Sequence, residues 1–320
     1  MNEIHATEGR RFEKALLKNR WLHKLIAWTG EAGLTALLWP RFVAPFQWRL
    51  RRFAMPLPNL AAEFEGYKIL FLSDLHLGCT NLGYLHRAIR TAQGESKPDL
   101  VLIGGDLMHY HPRSLAPLRA TLGLFAAPDG VLGIFGNHDY REYSWRHNGK
   151  RSGRRHLHRK LVAAVEASPV KLLRNESVVL RRGSGVVQIA GMDEMWADRL
   201  DPERAFRGLS PDQPTICLQH NPDGVELLKT YPWHWMLAGH SHGGQVVLPL
   251  AGALYVPMAH RHYLRGFFEF AIAGQTKTMY VSTGIGYTQP LRMGVPPEMT
   301  VFTLTRGEAK GPADQAVRMM

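Results

Sequence analysis

Five short apolar runs dominate the hydrophobic pattern of the chain, and each one ends at a cluster of polar residues. Nearly continuous apolar runs of this length predict strands that are buried on both faces of a sheet. The predicted strands are Lys68–Leu72, Leu100–Ile103, Val131–Phe135, Thr215–Leu218 and Trp235–Ala238. Segments between them predict helices over Leu82–Gln93, Ser114–Ala126 and Arg155–Ala167. A further helix is predicted to begin at Asn221, whose side chain can cap it, with Pro222 at its first position.

The polar clusters contain the residue types that bind metal ions. They read Ser-Asp-Leu-His at 73–76, Gly-Gly-Asp at 104–106, Gly-Asn-His-Asp at 136–139, Gln-His at 219–220 and Gly-His-Ser-His at 239–242. In sheets of parallel strands joined by helices, ligands bind outside the carboxyl ends of the strands. All five clusters follow such ends, so we expect their side chains to gather at one edge of the sheet.

Carboxylate and imidazole groups suit manganese, iron or zinc, and a carboxylate can bridge two ions with its two oxygens. We therefore expect two divalent metal ions, with Mn²⁺ favoured and Fe or Zn as alternatives. The expected ligands are Asp74, His76 and His242 for one ion, Asn137, His220 and His240 for the other, and Asp106 for both. Such a site activates a bridging hydroxide and stabilises the charge that develops when a phosphate ester or anhydride is hydrolysed. One Asp-x-His pair alone is usually a surface loop, but five clusters in this order indicate a hydrolase.

His138 lies beside an expected ligand and is assigned a catalytic role. Asp139 is expected to hold the His138 ring, so that the ring contacts a phosphoryl oxygen or protonates the leaving group. General acid–base catalysis of this kind contributes about 10²–10⁴-fold to a rate.

The order of the clusters resembles the pattern of the calcineurin-like metallophosphoesterase superfamily, and the resemblance covers residues 66 to 305. The superfamily pattern is Asp-x-His, Gly-Asp, Gly-Asn-His-Asp/Glu, a lone His and Gly-His-x-His, and every element is present. The resemblance implies an α/β fold, a four-layer αββα sandwich of two mixed sheets flanked by helices. Segments 239–245, 280–286 and 290–298 are similar to a branch of small bacterial phosphodiesterases and a UDP-diacylglucosamine hydrolase of lipid A synthesis.

Positive charge is concentrated outside the predicted catalytic strands. The chain carries a net charge of +12, of which residues 1–52 contribute +6 and residues 141–160 contribute +7. Localised positive charge is typical of a surface that docks on an anionic partner. We therefore divide the chain into a basic leader with an amphipathic helix (1–58), a catalytic domain (59–306) and a flexible tail (307–320).

The leader contains four of the eight tryptophans, Trp21, Trp28, Trp39 and Trp48. Its most apolar stretch, Leu25–Pro40, is interrupted by Glu31 and is shorter than the roughly 18–20 apolar residues of a membrane-spanning helix. A helix bound to the surface of an anionic membrane fits better, and the alternative is a leader packed on the catalytic domain. We expect a peripheral protein on the cytoplasmic face of the inner membrane, or a cytoplasmic protein if the leader packs on the domain.

Several arginines are candidate contacts for substrate phosphate, because guanidinium groups pair well with phosphate oxygens. They are Arg151, Arg154, Arg155, Arg265 and Arg292. The alternative for the run around Arg151 is a solvated basic surface. His109 follows Asp106 closely and is assigned to a polar loop.

Three functions are compatible with this pattern. The favoured one is hydrolysis of a lipid-linked phosphodiester or pyrophosphate, with UDP-diacylglucosamine as the sharpest candidate, and it predicts apolar walls near the metals. A nuclease is less favoured, because the sequence contains no basic groove interleaved with aromatic residues. A non-catalytic, membrane-docked scaffold is disfavoured, because every expected metal ligand is present.

Overall fold

The computed structural model describes residues 33, 38–109, 115–140, 155–254, 256–313 and 315–319. Its strands are β1 Arg49–Leu57, β2 Lys68–Leu72, β3 Leu100–Ile103, β4 Val131–Gly133, β5 Val170–Leu172, β6 Glu176–Arg182, β7 Gly185–Gly191, β8 Thr215–Leu218, β9 Trp235–Ala238, β10 Val247–Leu248, β11 Gly252–Ala253, β12 Gly266–Ile272, β13 Gln275–Val281, β14 Glu298–Arg306 and β15 Ala316–Met319. Four of the five strands expected from apolar runs have the predicted bounds, and β4 ends two residues early.

The α-helices are α1 Leu82–Ser96, α2 Ala116–Leu122, α3 Asn137–Tyr140, α4 Arg155–Glu166, α5 Pro202–Phe206 and α6 Val225–Leu228. Asn81 caps α1, because its side chain accepts a hydrogen bond from the Tyr84 amide, and left-handed Lys97 ends the helix. Asn221 caps as expected, accepting from the Asp223 amide at 3.0 Å, but the segment begins as a 3₁₀ turn and continues into α6. Helix propensity therefore locates these segments, and their caps set the starting points.

The strands form two large mixed sheets and a small hairpin of β10 and β11. The first sheet has the order β1-β14-β2-β3-β4-β5, in which β2 to β5 run parallel and β14 is antiparallel to β2. The second has the order β15-β12-β13-β9-β8-β7-β6, in which β13, β9, β8 and β7 run parallel. Each sheet thus brings the carboxyl ends of its central parallel strands to one edge.

Side chains of the central strands alternate between two cores. In β2, Ile69 and Phe71 belong to a core shared with β8 and β9 of the other sheet, whereas Leu70 and Leu72 pack with α1, α2 and α4. A third core covers the opposite face of the second sheet and includes residues of α5 and α6. Burying a large apolar side chain contributes about 1.5–3 kcal/mol, so strands buried on both faces anchor the fold strongly. The layers confirm the expected αββα sandwich.

Strands β1 and β15 lie outside the bounds expected for the catalytic domain. Strand β1 pairs in parallel with β14 along its whole length, so Arg49–Leu57 belongs to the first sheet and not to a leader. The arginines of β1 interrupt its apolar pattern, so the sequence does not predict a strand there. An edge strand can carry such residues because one side of it faces water, and Arg51 Nε forms an ion pair with Glu298 Oε2 of β14 (2.9 Å). At the other end, β15 pairs with β12, so part of the expected flexible tail forms a strand. The pairing uses backbone hydrogen bonds, which do not require an apolar pattern in the sequence. Residues 1–32 lie outside the described part of the chain.

Candidate dinuclear metal centre

The polar clusters meet where the carboxyl ends of the central strands in the two sheets face each other. The Asp74 amide donates to the Gly105 carbonyl (3.0 Å), which joins the loops after β2 and β3, and the Gly239 amide donates to the His220 carbonyl (3.0 Å), which joins the loops after β8 and β9. The Ile285 amide donates to the Ser73 carbonyl (3.0 Å) and connects the two sheets. Hydrogen bonds between loops therefore bring together side chains expected as ligands, although these come from five separate segments.

Left-handed backbone conformations turn these side chains inward. Asp74, His76, Asp106, His240 and His242 have φ values of 59°, 43°, 51°, 67° and 50°. Positive φ is uncommon outside glycine and costs of order 1–3 kcal/mol per residue, so it persists where the surrounding structure enforces it. Five strained residues at one edge indicate that the side-chain arrangement is held by the fold.

The first group consists of Asp74, His76 and His242, and one donor atom from each lies within 4.8 Å of the others. The Nε2 atoms of His76 and His242 are 2.9 Å apart. Asp74 Oδ1 lies 3.8 Å from His76 Nε2 and 3.6 Å from His242 Nε2. All three side chains are buried, so their donor atoms face one another and not the solvent.

The second group consists of Asp106, His220 and His240, whose donor atoms also lie within 4.8 Å of one another. His240 Nδ1 is 2.8 Å from Asn137 Oδ1, which adds the amide oxygen to the group. His220 Nε2 is 3.3 Å from Asp106 Oδ2. The same Asp106 oxygen lies 3.5 Å from His76 Nε2 in the first group, so one carboxylate links both groups.

The outer nitrogens of the imidazoles have partners that fix the rings. His220 Nδ1 lies 2.7 Å from the Gly104 carbonyl and His240 Nε2 lies 3.3 Å from the Pro257 carbonyl. Because a carbonyl only accepts, each of these nitrogens carries the proton, and the opposite nitrogen presents a lone pair to the site. In the first group, His76 Nδ1 lies 3.3 Å from His109 Nδ1.

Electrostatics keeps most of the imidazoles neutral. Burial lowers the pKa of His240 to about 3 and holds the pKa values of His76 and His242 well below their usual range. Burial also opposes protonation of His220, but the Asp106 carboxylate outweighs it and raises the pKa of His220 to about 10. The His220–Asp106 pair therefore favours a positive charge between them, which a metal ion would supply in place of the proton.

The donor set fits two divalent metal ions. His220 Nε2 is buried and has no hydrogen-bond partner among the described residues, although buried polar atoms normally have one. Once a metal ion takes the place of its proton, this atom would present a lone pair beside Asn137 Oδ1 and His240 Nδ1. Nitrogen and carboxylate oxygen donors of this kind suit manganese, iron and zinc.

Glycines allow the loops to approach this closely. A Cβ on Gly136 would lie 2.3 Å from Asp106 Oδ1 and 2.6 Å from His220 Nε2. A Cβ on Gly239 would lie 2.5 Å from Asp74 Oδ2. Glycine is therefore required at these two positions, because any side chain would collide with the donor atoms of the expected ligands.

The structure places the Asp139 carboxylate differently from expectation. His138 lines the pocket, with its ring stacked on His109 (centroids 4.8 Å apart) and its backbone amide donating to Asp106 Oδ1 at 2.9 Å. The Asp139 carboxylate instead accepts hydrogen bonds from the backbone amides of Leu107, Met108 and Gly136. Asp139 therefore joins the loops after β3 and β4, because a buried carboxylate binds nearby backbone donors, and His109 supports the His138 ring.

The candidate substrate arginines also need correction. Arg292 is 0% exposed and donates to the carbonyls of His242 (3.0 Å), Thr283 (2.8 Å) and Gly286 (2.6 Å), so it braces the loop behind His242 from inside the protein. Arg265 is exposed, donates to the Gly294 carbonyl at 3.2 Å and is not among the residues that line the cavity. Arg151, Arg154 and the side chain of Arg155 lie outside the described residues.

A cavity of about 640 Å³ opens beside the two groups and contains residues that the sequence analysis missed. They are Trp196, Gln245, Pro257, Thr288 and Gln289. The ring of Trp196 meets the ring of His240 edge-on, with centroids 4.6 Å apart. Trp196 follows the end of β7 with Asp193 and Glu194, so the same strand-end rule would have found it had Gly185–Gly191 been recognised as a strand.

Known proteins share this architecture in sequence as well as in motif order. Residues 67–244, more than half of the chain, match the model of the calcineurin-like phosphoesterase family. The chain belongs to that family. It is therefore a metal-dependent phosphoesterase, and the family implies a dinuclear site for divalent ions.

Three bacterial relatives are similar over most of their length. YkuE of Bacillus subtilis, an uncharacterised metallophosphoesterase, is 34% identical over 75% of this chain and 80% of its own. The phosphodiesterase YaeI of Escherichia coli is 30% identical over 74% and 82%. The UDP-2,3-diacylglucosamine pyrophosphatase LpxG of Chlamydia muridarum is 29% identical over 85% and 93%. Among the described residues, no helix has the length and apolarity to cross a membrane.

Proposed function

We propose that this protein hydrolyses a phosphodiester or pyrophosphate bond in a lipid-linked substrate, with UDP-diacylglucosamine as the leading candidate. The observation that carries the proposal is the position of Asp106 Oδ2, 3.5 Å from His76 Nε2 and 3.3 Å from His220 Nε2. A carboxylate placed between two groups of nitrogen and oxygen donors is what a pair of metal ions needs as a shared ligand.

We assign Asp74, His76 and His242 to one ion, and Asn137, His220 and His240 to the other, with Asp106 common to both. Mn²⁺ is the favoured metal, and Fe or Zn are the alternatives. Bound there, two divalent ions supply Lewis acidity and an activated water at neutral pH. Because only two of the seven donors are anionic, the loaded site stays cationic and attracts phosphate.

His138 is the proposed catalytic residue of the chain itself. Its ring lines the cavity and packs edge-on against His76, with centroids 4.9 Å apart. Stacking on His109 from the other direction limits the rotation of the ring. The imidazole is thus positioned to hydrogen-bond a phosphoryl oxygen or to give a proton to the leaving oxygen.

The cavity beside the site supports a substrate with an apolar part. Trp196 and Pro257 provide apolar walls directly next to His240, while Gln245 and Gln289 offer hydrogen-bonding amides. LpxG, a relative aligned over most of both chains, is a pyrophosphatase of UDP-2,3-diacylglucosamine, a substrate that combines a nucleotide with acyl chains. Both observations favour a lipid-linked substrate.

An exposed apolar patch supports docking on a membrane. The patch consists of Leu38, Trp39, Phe42 and Phe46, and Phe42 is 60% exposed. Phe46 packs edge-on against Tyr287, which precedes the cavity-lining residue Thr288, and the Pro40 carbonyl accepts from the Arg292 amide. Arg41 lies beside Phe42 and supplies a cation for anionic headgroups. We place the protein peripherally at the cytoplasmic face of the inner membrane.

A parallel assay tests the chemistry. Purified protein loaded with Mn²⁺ is incubated with UDP-diacylglucosamine, bis-p-nitrophenyl phosphate and single-stranded DNA, with Asp106→Asn as the inactive control. We expect fastest turnover of UDP-diacylglucosamine, slower turnover of the small diester and none of DNA. Cleavage of DNA alone would contradict the proposed substrate class, and equal rates for Asp106→Asn would contradict the shared ligand.

Vesicle sedimentation tests the docking. Phosphatidylglycerol vesicles should retain the wild-type protein and release a Trp39→Ser/Phe42→Ser variant. Leu227→Ser is the matched control, because Leu227 is also an exposed large apolar residue but lies in α6. Equal retention of all three proteins would remove the patch from the proposal.

A further inference from the structure

A second cavity, of about 520 Å³, lies behind the helix that carries Asn137 and His138. Its lining includes His158, Arg159, Arg174 and Arg199, and none of its lining residues belongs to the cavity at the metal centre. Three of these side chains surround the ring of Tyr140, the last residue of α3. The His158 ring stacks on it with centroids 4.2 Å apart, and the guanidinium carbons of Arg199 and Arg174 lie 5.0 and 6.0 Å from its centroid.

One carboxylate pairs with an arginine of this cluster. Asp193 binds Arg174, with Nε and Oδ2 3.2 Å apart, and also accepts the Tyr140 hydroxyl. Arg199 forms no ion pair with any described carboxylate, and its Nε is buried without a hydrogen-bond partner among the described residues. The cavity lining itself contains three arginines and one glutamate, Glu166.

His158 adds a second unsatisfied group. It is 9% exposed, and its Nδ1 lies 3.2 Å from the Asp139 carbonyl, so Nδ1 carries a proton and donates it to that oxygen. The opposite atom, Nε2, is buried and has no hydrogen-bond partner in the described part of the chain. Buried polar atoms are nearly always paired, so this nitrogen and Arg199 Nε are two groups whose hydrogen-bond partners do not lie among the described residues.

We propose that this cavity binds a phosphate group, held by the guanidinium groups of Arg174 and Arg199 and by His158 Nε2. Guanidinium N–H groups match tetrahedral oxyanions in charge and geometry. A phosphate oxygen can accept from Arg199, and a P–OH group can donate to the neutral His158 imidazole. The same chemistry is offered by free phosphate and by the headgroup of an anionic lipid, so the experiment separates these two sources. The site is independent of the substrate proposed above.

Calorimetric titration of the metal-loaded protein with inorganic phosphate tests the site. Phosphate is also expected to bind the metal centre, and this binding is measured separately as inhibition of bis-p-nitrophenyl phosphate hydrolysis. Arg199→Gln should weaken the second class of phosphate binding about tenfold or more, as the loss of a charge-assisted hydrogen bond implies, and leave the inhibition constant unchanged. Arg204→Gln is the matched control, since Arg204 is an exposed arginine paired with Glu176.

A second variant guards against misfolding. His158→Gln retains a polar side chain and should also weaken phosphate binding at the proposed second site. Its thermal unfolding midpoint should be close to that of the wild type. A single class of binding sites in the wild type, unchanged in Arg199→Gln and His158→Gln, would overturn the proposal. Retention on phosphatidylglycerol but not phosphatidylcholine vesicles, lost in Arg199→Gln, would identify a lipid headgroup; titration with phosphate alone would identify a soluble ligand.

Discussion

The two halves of the metal centre are held in different ways. In the first group, the outer nitrogens of His76 and His242 lie beside side chains, His109 at 3.3 Å and Arg292 at 3.2 Å. In the second group, the outer nitrogens of His220 and His240 bind backbone carbonyls. Side-chain partners can be removed by substitution, whereas carbonyls can only be moved with the backbone. Substitution of the neighbouring side chains should therefore lower the metal affinity of the first half by graded amounts. The metal affinity of the second half should change mainly when the loop geometry changes.

The largest effect is expected from Gly136→Ala, which attacks the backbone-held half. The new Cβ would lie 2.3 Å from Asp106 Oδ1 and 2.6 Å from His220 Nε2, so the shared carboxylate must move. We expect no detectable hydrolysis and fewer than two bound ions by elemental analysis. Gly94→Ala is the control, because a Cβ there meets no atom within 4 Å and alanine favours a helix by about 1 kcal/mol. Full turnover by Gly136→Ala would contradict this account.

His138→Asn should lower kcat while both halves keep their ions. Asparagine retains the backbone amide that donates to Asp106 Oδ1, so the metal content should not change. Loss of the imidazole should reduce kcat by about 10²–10⁴-fold. The measurement is steady-state kinetics with metal analysis of the same sample, and His86→Asn on α1 is the control. Wild-type turnover in His138→Asn would exclude the catalytic role.

Arg292→Met should weaken the side-chain-held half alone. Outer partners of metal ligands typically change affinity by about 10–100-fold, and we expect this loss for one of the two ions. The variant should also unfold at a lower temperature, because each buried carbonyl left without a donor costs about 1–3 kcal/mol. Metal titration and thermal unfolding measure both effects. Arg265→Met, which removes an exposed arginine, should change neither, and equal loss of both ions in Arg292→Met would contradict the division into halves.

The smallest effect is expected at His109. Phenylalanine retains a ring that can stack on His138 but offers nothing to His76 Nδ1, so His109→Phe should lower the affinity of one ion by about tenfold. Asparagine has an oxygen near the position of Nδ1, so His109→Asn should restore much of this affinity. Metal titration of the two variants side by side decides the point. If His109→Asn bound the ion more weakly than His109→Phe, ring stacking and not hydrogen bonding would be the contribution of His109 to metal affinity.

The same contrast separates what could be predicted from what could not. Strands buried on both faces, such as Lys68–Leu72, were predicted with the correct bounds because a continuous apolar run has few other solutions. Strand β1 was missed because its arginines break the apolar run on a partly exposed strand. Strand β7 is almost entirely buried, but Gln188 and the glycines at its two ends interrupt its apolar pattern. Because β7 was not predicted, the residues that follow it, Asp193, Glu194 and Trp196, were not recognised as candidates for the site.

The sequence by itself determined the chemistry of the centre and where its ligands would meet. Carboxylate, amide and imidazole donors follow apolar strands within a few residues, and parallel strands bring their carboxyl ends to one edge whatever the loops do. Only the tertiary structure decided how these donors are held. Arg292 lies 50 residues from His242 and is fully buried, and Asp139 binds backbone amides in place of the neighbouring His138 ring. Such contacts depend on which loops the closed sandwich presses together, and no local pattern in the chain records that packing.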